Sequence, residues 1–375
     1  MKKKLFIYYQ NLKPGGVAKV LCNLTWELAE KGHHVEVLFL MAPHEDFYPM
    51  HPNVKKHYVD SFANKYAQLG TKIKKKYSWI PKAYNIHAYL YDLGSYQVMN
   101  DWVKKNHHQY DTIITCWYKL SSMLSLNKKV SQKNIAWEHS SFRVGGFIYD
   151  KLLRNNYKKL KGIVCINKPS VKYYESLNKT FFIPNIADSI FEEQHFVPNN
   201  EKENIISVVG RLDKTKNVFE LVKIFKDTIK PPDWKLQIIG DGPETSIIAD
   251  YIKEHHLEDS VLLLGIKKPA EISDLLRKSK IFAFTSLSEA FGLALLEAMF
   301  CSNVIVAYDC EFGPSDIINE KNGFLIPLHN TKMFAEKLET LISNDETLSK
   351  LMKSSFEESG KWKKEKIIEQ WKEVL

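Results

Sequence analysis

Two glutamates, Glu289 and Glu297, bracket a glycine in the run TSLSEAFGLALLEAM. Each carboxylate can accept hydrogens from a pair of vicinal hydroxyls, one pair on a sugar and one on a ribose. Gly292 opens the helical stretch that carries Glu297, and the free N–H groups of a helix start attract phosphate or sugar oxygens. The same spacing also suits Glu289 as a helix cap and Glu297 as a solvated helix residue. A second run, VVGRLDKTKN, places Arg211 and Lys216 in a loop after Gly210. A forked guanidinium near a mobile ammonium suits a diphosphate, although two solvated surface cations would read the same way. In KPGGVAK, Gly15 and Gly16 precede a helical pattern where backbone can approach an anion. Pro-Gly-Gly is also an ordinary turn, and the spacing lacks the G-x-G-x-x-G of a dinucleotide loop. IIGDGPE ends in a glycine turn, with Gly240 giving the backbone access to a ligand and Pro243 placed to start a helix.

Nearly all of these runs leave a short apolar stretch that reads as a strand. LFIYY (5–9) leads into the Gly15 loop, a helical pattern follows through Val17, Val20, Leu21, Leu24 and Leu28, and VEVLFLM (35–41) is the next strand. TIITCW, NIAW, GIVCI and FFI continue the first series. After the polar stretch at 197–204 a second series begins with NIISVVG, KLQIIG, VLLLG, IFAFTS and NVIVAY, with helical patterns at 218–229 and 270–278. Alternating strands and helices predict two doubly wound, Rossmann-like α/β domains, residues 1–188 and 189–361. Ligands of such sheets sit beyond the C-terminal strand ends, so the expected site is a cleft between the domains. In residues 362–375, Trp362, Ile367, Ile368, Trp371 and Leu375 fall on one face of an amphipathic helix. That helix either caps the second domain or crosses back to the first.

With 375 residues, 44% hydrophobic and 26% charged, the chain has enough apolar material for two packed cores. Its net charge of +9 is unevenly spread. Residues 1–190 carry 29 Lys and Arg against 13 Asp and Glu, whereas residues 191–375 carry 24 against 31. A basic first half suits an anionic partner or a solvated lysine surface. The five cysteines form no C-x-x-C pair, so neither a zinc site nor a disulfide framework is expected. No run of 18 apolar residues exists, and the start MKKKLFIYYQ has no signal-peptide core. These features predict a reduced, cytoplasmic enzyme. No D-x-D triplet is present, so no metal-held diphosphate, and no metal or cofactor, is expected.

The chain resembles the family-4 retaining glycosyltransferases of the GT-B fold. Their Glu-x7-Glu motif matches Glu289 to Glu297, including the FGL between them. The resemblance extends over nearly the whole chain. It includes Gly15-Gly16, the segment Gly210 to Asn217, Ile183-Pro184-Asn185 with Asp188, GDGPE at 240–244, and the tail from Gly313 to Pro327. Residues 42–110, where acceptor contacts are expected, match poorly.

The resemblance implies that Arg211 and Lys216 bind the donor diphosphate, Glu297 the ribose, and Glu289 the transferred sugar. It places the backbone of Phe291, Gly292 and Leu293 against sugar and phosphates, Ile266 beside the base, and His139 of WEHSS beside the reacting sugar. A satisfied structural histidine after the strand NIAW is the other reading of His139. The implied reaction moves a hexose or N-acetylhexosamine from a UDP-sugar to a glycan acceptor, lipid-linked, in bacterial-type surface polysaccharide or glycoconjugate assembly. Two other readings remain open, a sugar-nucleotide 2-epimerase of the same fold and a nucleic-acid-binding protein, although no RNA- or DNA-binding motif is present. The segment KIKKKYSWIPKAY (72–84) mixes five lysines with Tyr77, Trp79, Ile80 and Tyr84. Cations and interfacial aromatics predict peripheral attachment of the first domain to the inner face of an anionic membrane.

Overall fold

Strands covered on both faces need no polar alternation, and their sequences are continuous apolar runs. Leu5, Phe6 and Ile7 are all fully buried in one such strand, as are Ile281, Phe282 and Ala283 in another. The computed structural model describes residues 3–77, 79–228 and 233–375, without the side chains of residues 81–83, 147, 150 and 151. The chain folds as two units, one of Met1–Pro184 together with Ile368–Leu375, the other of Asn185–Ile367.

The N-terminal sheet contains β1 (Lys3–Tyr8), β2 (His34–Phe39), β3 (Lys55–Tyr58), β4 (Thr112–Thr115), β5 (Asn134–Glu138), β6 (Gly162–Cys165) and β7 (Thr180–Phe182). Its order is β3-β2-β1-β4-β5-β6-β7, and every pairing is parallel. The C-terminal sheet contains β8 (Glu203–Val209), β9 (Lys235–Ile239), β10 (Val261–Gly265), β11 (Ser279–Phe284), β12 (Val304–Asp309) and β13 (Gly323–Pro327). Its order is β10-β9-β8-β11-β12-β13, again parallel throughout. Each order reverses direction once, between β1 and β4 and between β8 and β11. At such a reversal the flanking connections leave toward opposite faces of the sheet, which opens a crevice at the C-terminal strand ends.

The strand β3 has no apolar run in KKHY to announce it. Its Lys55 and Lys56 are exposed at the sheet edge, where lysine discourages pairing with another chain. Beyond it, α2 (Lys65–Lys76) and the 26-residue α3 (Pro81–Asn106) occupy most of the stretch that the sequence left unassigned. Asn64 caps α2, its side chain accepting from the Tyr66 N–H. The anticipated face of the terminal segment takes part in both units. Trp362 lies edge-on to Phe291 at 6.0 Å within the C-terminal unit. Trp371 is fully buried in the N-terminal unit, edge-on to Trp137 at 5.0 Å, and Lys161 donates to the Val374 carbonyl at 2.9 Å.

Candidate active site

The strands flanking the reversal in the C-terminal sheet each release a polar loop from their C-terminal end. After β8 comes Gly210-Arg211, and after β11 comes the segment holding Glu289. Backbone and side-chain bonds join the two loops. Leu287 N–H donates to the Thr215 carbonyl at 2.8 Å, and the Thr285 hydroxyl donates to the Lys216 carbonyl at 3.1 Å. This zipper brings the Lys216 ammonium into an ion pair with the Glu289 carboxylate. The Lys216 ammonium also lies 5.9 Å from the centre of the Phe284 ring. The carboxylate side chain is 13% exposed and the lysine 28%, so the pair is sheltered yet reachable.

Glu289 therefore does not cap the following helix. The cap is Gly292, in the left-handed region at φ 88°, and the helix Leu293–Phe300 begins directly after it. A Cβ at position 292 would also meet the Leu295 side chain at 2.9 Å, which explains a glycine there. Leu295 N–H bonds to the Gly292 carbonyl at 2.9 Å, and the N–H groups that precede it at a helix start can serve an anionic or hydroxylated ligand. Glu297 is 3% exposed, so it is not the solvated helix residue that its spacing also allowed. The Arg211 side chain is 69% exposed, with Asp213 beside it at 3.5 Å. Ile266 is 56% exposed in the loop after β10.

Gly240 acts through its neighbours. It sits at φ 143°, and a Cβ there would lie 1.8 Å from the Gly210 carbonyl oxygen. The two glycine turns are joined further by Gly210 N–H to the Ile239 carbonyl and Leu212 N–H to the Asp241 carbonyl, each at 3.0 Å. Gly240 thus fixes the loop that carries Arg211 and Lys216.

In the N-terminal unit, Gly15 caps α1 (Gly16–Glu30) in an extended conformation, and a Cβ on Gly15 or Gly16 would meet nothing within 4 Å. The space above this helix start is open. His139 follows β5 and is 7% exposed, its ring 4.2 Å from that of Trp137. Its Nε2 is buried without a hydrogen-bond partner among the described residues. Burial brings the imidazole down from 6.5 to about 3, so it is neutral near physiological pH. It can offer a hydrogen bond to a ligand but not a proton. Between those two values the unfolded chain binds the extra proton and the folded chain does not, so stability should fall as pH drops through that window. His139→Gln should show a shallower loss between pH 6 and 4 in denaturant titrations; equal slopes would contradict this assignment.

Beside His139, Glu138 points to the other face of the sheet and is 1% exposed. The hydroxyls of Tyr157 and Tyr174 donate to it at 2.6 and 3.2 Å, and Arg154 lies 3.8 Å away. Burial raises its pKa, against the pull of Arg154 and the two phenols. This buried network fixes the strand end that presents His139. The sequence showed a glutamate next to a histidine, but the groups that satisfy it come 16 to 36 residues later. Among the described residues, no group of three or more His, Cys, Asp or Glu is placed to hold a metal. The five cysteines are buried and unpaired with one another.

The profile of the glycosyl transferases group 1 family matches residues 190–358, the part that carries the Lys216–Glu289 pair. An uncharacterized glycosyltransferase of Haemophilus influenzae is 30% identical over 386 residues, covering 100% of both chains. The chain belongs to the group 1 glycosyl transferases. The transferase is also 28% identical over 261 residues to the amylovoran biosynthesis glycosyltransferase AmsD of Erwinia amylovora, covering 68% of this chain and 73% of AmsD. A crystal structure of an S. aureus TarM variant, in complex with Fondaparinux, alpha-GlcNAc-glycerol and UDP, superposes with a TM-score of 0.75 at 17% identity. That match covers 100% of the transferase and 99% of TarM and establishes the GT-B fold. The 2-epimerase reading finds no support in these relatives, and membership of the family replaces the nucleic-acid reading.

Proposed function

We propose that the transferase is a retaining, family-4 enzyme that moves a hexose or N-acetylhexosamine from a UDP-sugar to a lipid-linked glycan during surface polysaccharide or glycoconjugate assembly. The observation that carries this reading is the Lys216–Glu289 pair at the reversal of the C-terminal sheet, with the Arg211 guanidinium exposed on the same loop as Lys216. In it, Arg211 and Lys216 take the charge that develops on the departing diphosphate, assisted by N–H groups at the start of the helix Leu293–Phe300, without a metal. Glu289 accepts hydrogens from the transferred sugar's hydroxyls, Glu297 holds the ribose, and Ile266 covers the base. The acceptor hydroxyl attacks the anomeric carbon on the face that the diphosphate leaves, and the departing phosphate oxygen takes the hydroxyl proton. The UDP named with TarM supports the choice of nucleotide.

Thermal unfolding in the presence of UDP- and GDP-sugars tests the donor. A UDP-sugar at one hundred times its Kd should stabilise the chain by about 2.7 kcal/mol, and a GDP-sugar should not. Equal shifts for both nucleotides would overturn the assignment.

The acceptor side of the reading includes attachment at the inner face of a membrane. Among the described residues, no helix is long and apolar enough to cross one. Its support is α2, which ends in Lys74, Lys75 and Lys76, followed by Trp79 at 77% exposure. The Lys74 ammonium lies 5.2 Å from the centre of the Tyr84 ring. Ser78 and the side chains of residues 81–83, within the same basic segment, lie outside the described residues. Each cation near an anionic leaflet contributes about 1 kcal/mol. The chain should float with vesicles containing anionic lipid and not with neutral ones; identical flotation would sink the idea.

A further inference from the structure

The N-terminal sheet has its own reversal, between β1 and β4, and an unassigned polar cluster surrounds it. Tyr9 follows the C-terminal end of β1 directly. Lys119 lies in α4 (Tyr118–Leu124), which follows β4. Tyr149 comes from the segment after β5, and Asp92 reaches in from α3. The Lys119 ammonium donates to Asp92 Oδ2 at 2.7 Å, and the Tyr149 hydroxyl donates to the same oxygen at 2.8 Å. Both bonds therefore fall on one carboxylate oxygen, although a carboxylate has about four acceptor positions.

Three properties of the cluster point to a ligand. The Asp92 side chain is 7% exposed, but that of Lys119 is 25% exposed, so the pair is open on the lysine side. The Tyr9 hydroxyl is buried with no hydrogen-bond partner among the described residues. Such an orphan is destabilising unless something fills it. Its pKa is held well above the ordinary phenol range by burial, and then by the fields of Asp92 and Tyr149. Aromatic surface adjoins the polar groups, with Tyr91 stacked on Tyr9 at 6.4 Å and Tyr118 edge-on to Tyr149 at 5.5 Å.

We propose that Asp92, Lys119 and Tyr149 form a subsite at the β1–β4 reversal that reads neighbouring hydroxyls of a neutral pyranose in the acceptor. This rests on the reading of the chain as a transferase to a glycan. The charge pattern selects among ligands. A phosphate or carboxylate would meet the Asp92 charge beside the lysine, so the pair does not suit an anion. Vicinal hydroxyls suit it well, since one donates to the carboxylate while the next accepts from the ammonium. The partly exposed, stacked rings of Tyr9 and Tyr91 provide an apolar wall for the C–H face of a sugar.

Saturation-transfer NMR on the full chain, with methyl glycosides of glucose, galactose, N-acetylglucosamine and N-acetylgalactosamine as probes, tests the subsite. At least one glycoside should bind, and inorganic phosphate at equal concentration should not displace it. Asp92→Asn and Lys119→Met should each weaken that binding about tenfold. Tyr149→Phe, which keeps the ring, should weaken it by about threefold to tenfold. Binding of none of the probes, affinities unchanged in all three variants, or displacement by phosphate would overturn the proposal. Melting curves with and without UDP on the same samples separate the two readings. Glycoside binding without a UDP shift removes the donor assignment alone, and a UDP shift without glycoside binding removes the subsite alone. A purely structural role for the cluster would lower the melting temperature of the variants and leave their glycoside affinity unchanged.

Discussion

Glu289→Ala is expected to abolish sugar transfer, and Glu289→Gln to lower kcat/KM by about two to three orders of magnitude. Arg211→Ala should be comparably damaging. The carboxylate does two things that alanine cannot. It positions the Lys216 ammonium through their ion pair, and it remains exposed enough to accept hydrogens from a sugar. Arg211 brings a guanidinium that is largely in solvent, with Asp213 as a weak neighbour at 3.5 Å. A fork in that state can meet two diphosphate oxygens at once. None of these changes should unfold the chain, since a partly exposed ion pair contributes about 1 kcal/mol or less to stability. Transfer assays with labelled donor, paired with melting curves, measure both halves of the expectation. Turnover within a few-fold of the parent in either variant would remove that residue from the donor site.

Gly240→Ala should cause the largest loss of stability among single substitutions near the site, about 3–5 kcal/mol. An added methyl would stand 1.8 Å from the Gly210 carbonyl oxygen, a backbone atom that cannot rotate aside. The residue is also held from another direction by its N–H bond to the Gly265 carbonyl at 2.9 Å, and φ 143° is a conformation that side chains disfavour. Any relief must displace the Gly210 turn and with it Arg211, so donor affinity should fall together with stability. Gly15→Ala is the natural comparison. Its backbone is extended and the space beside it is open, so stability should change by less than about 0.5 kcal/mol. Any loss of transfer there would report an obstructed ligand, not a damaged fold. Urea titrations of the two variants that gave equal losses would contradict this distinction.

These contrasts show what could be seen before the fold was known. The strand-and-loop pattern was legible because buried parallel strands are continuous apolar runs, and both sheets follow it. Where that signal fails, so does the expectation. The edge strand β3 is KKHY, half-wet and lysine-rich, with no run to detect. The expected strands LFIYY, VEVLFLM and TIITCW each extended past the true ends by one or two residues. Hydrophobic runs continue into the buried residues that follow, as Leu40 and Cys116 do, where single N–H bonds to the Tyr8 and Ile7 carbonyls of β1 outlast the paired strand.

The site divides along the same line. Glu289, Glu297, Arg211 and Lys216 stood out as candidates because carboxylates, cations and glycine turns follow strand ends, but spacing left a structural reading open for each and only the family resemblance supplied the expected roles. Local spacing could not separate a ligand-binding Glu289 from a helix cap. The structure removed the cap reading, since Gly292 takes that position, and a hydrogen bond from Leu287 to Thr215, residues 72 positions apart in the chain, helps set Glu289 beside Lys216. Nor could spacing assemble Asp92, Lys119 and Tyr149, which come from three separate helical segments and meet only because the sheet order reverses between β1 and β4. The sequence by itself determined the fold class and marked the polar loops after β8 and β11, since both depend on interactions among near neighbours. Tertiary structure alone decided which carboxylate pairs with which cation, which histidine is neutral and which polar groups converge, because those outcomes depend on burial and on contacts between segments far apart in the chain.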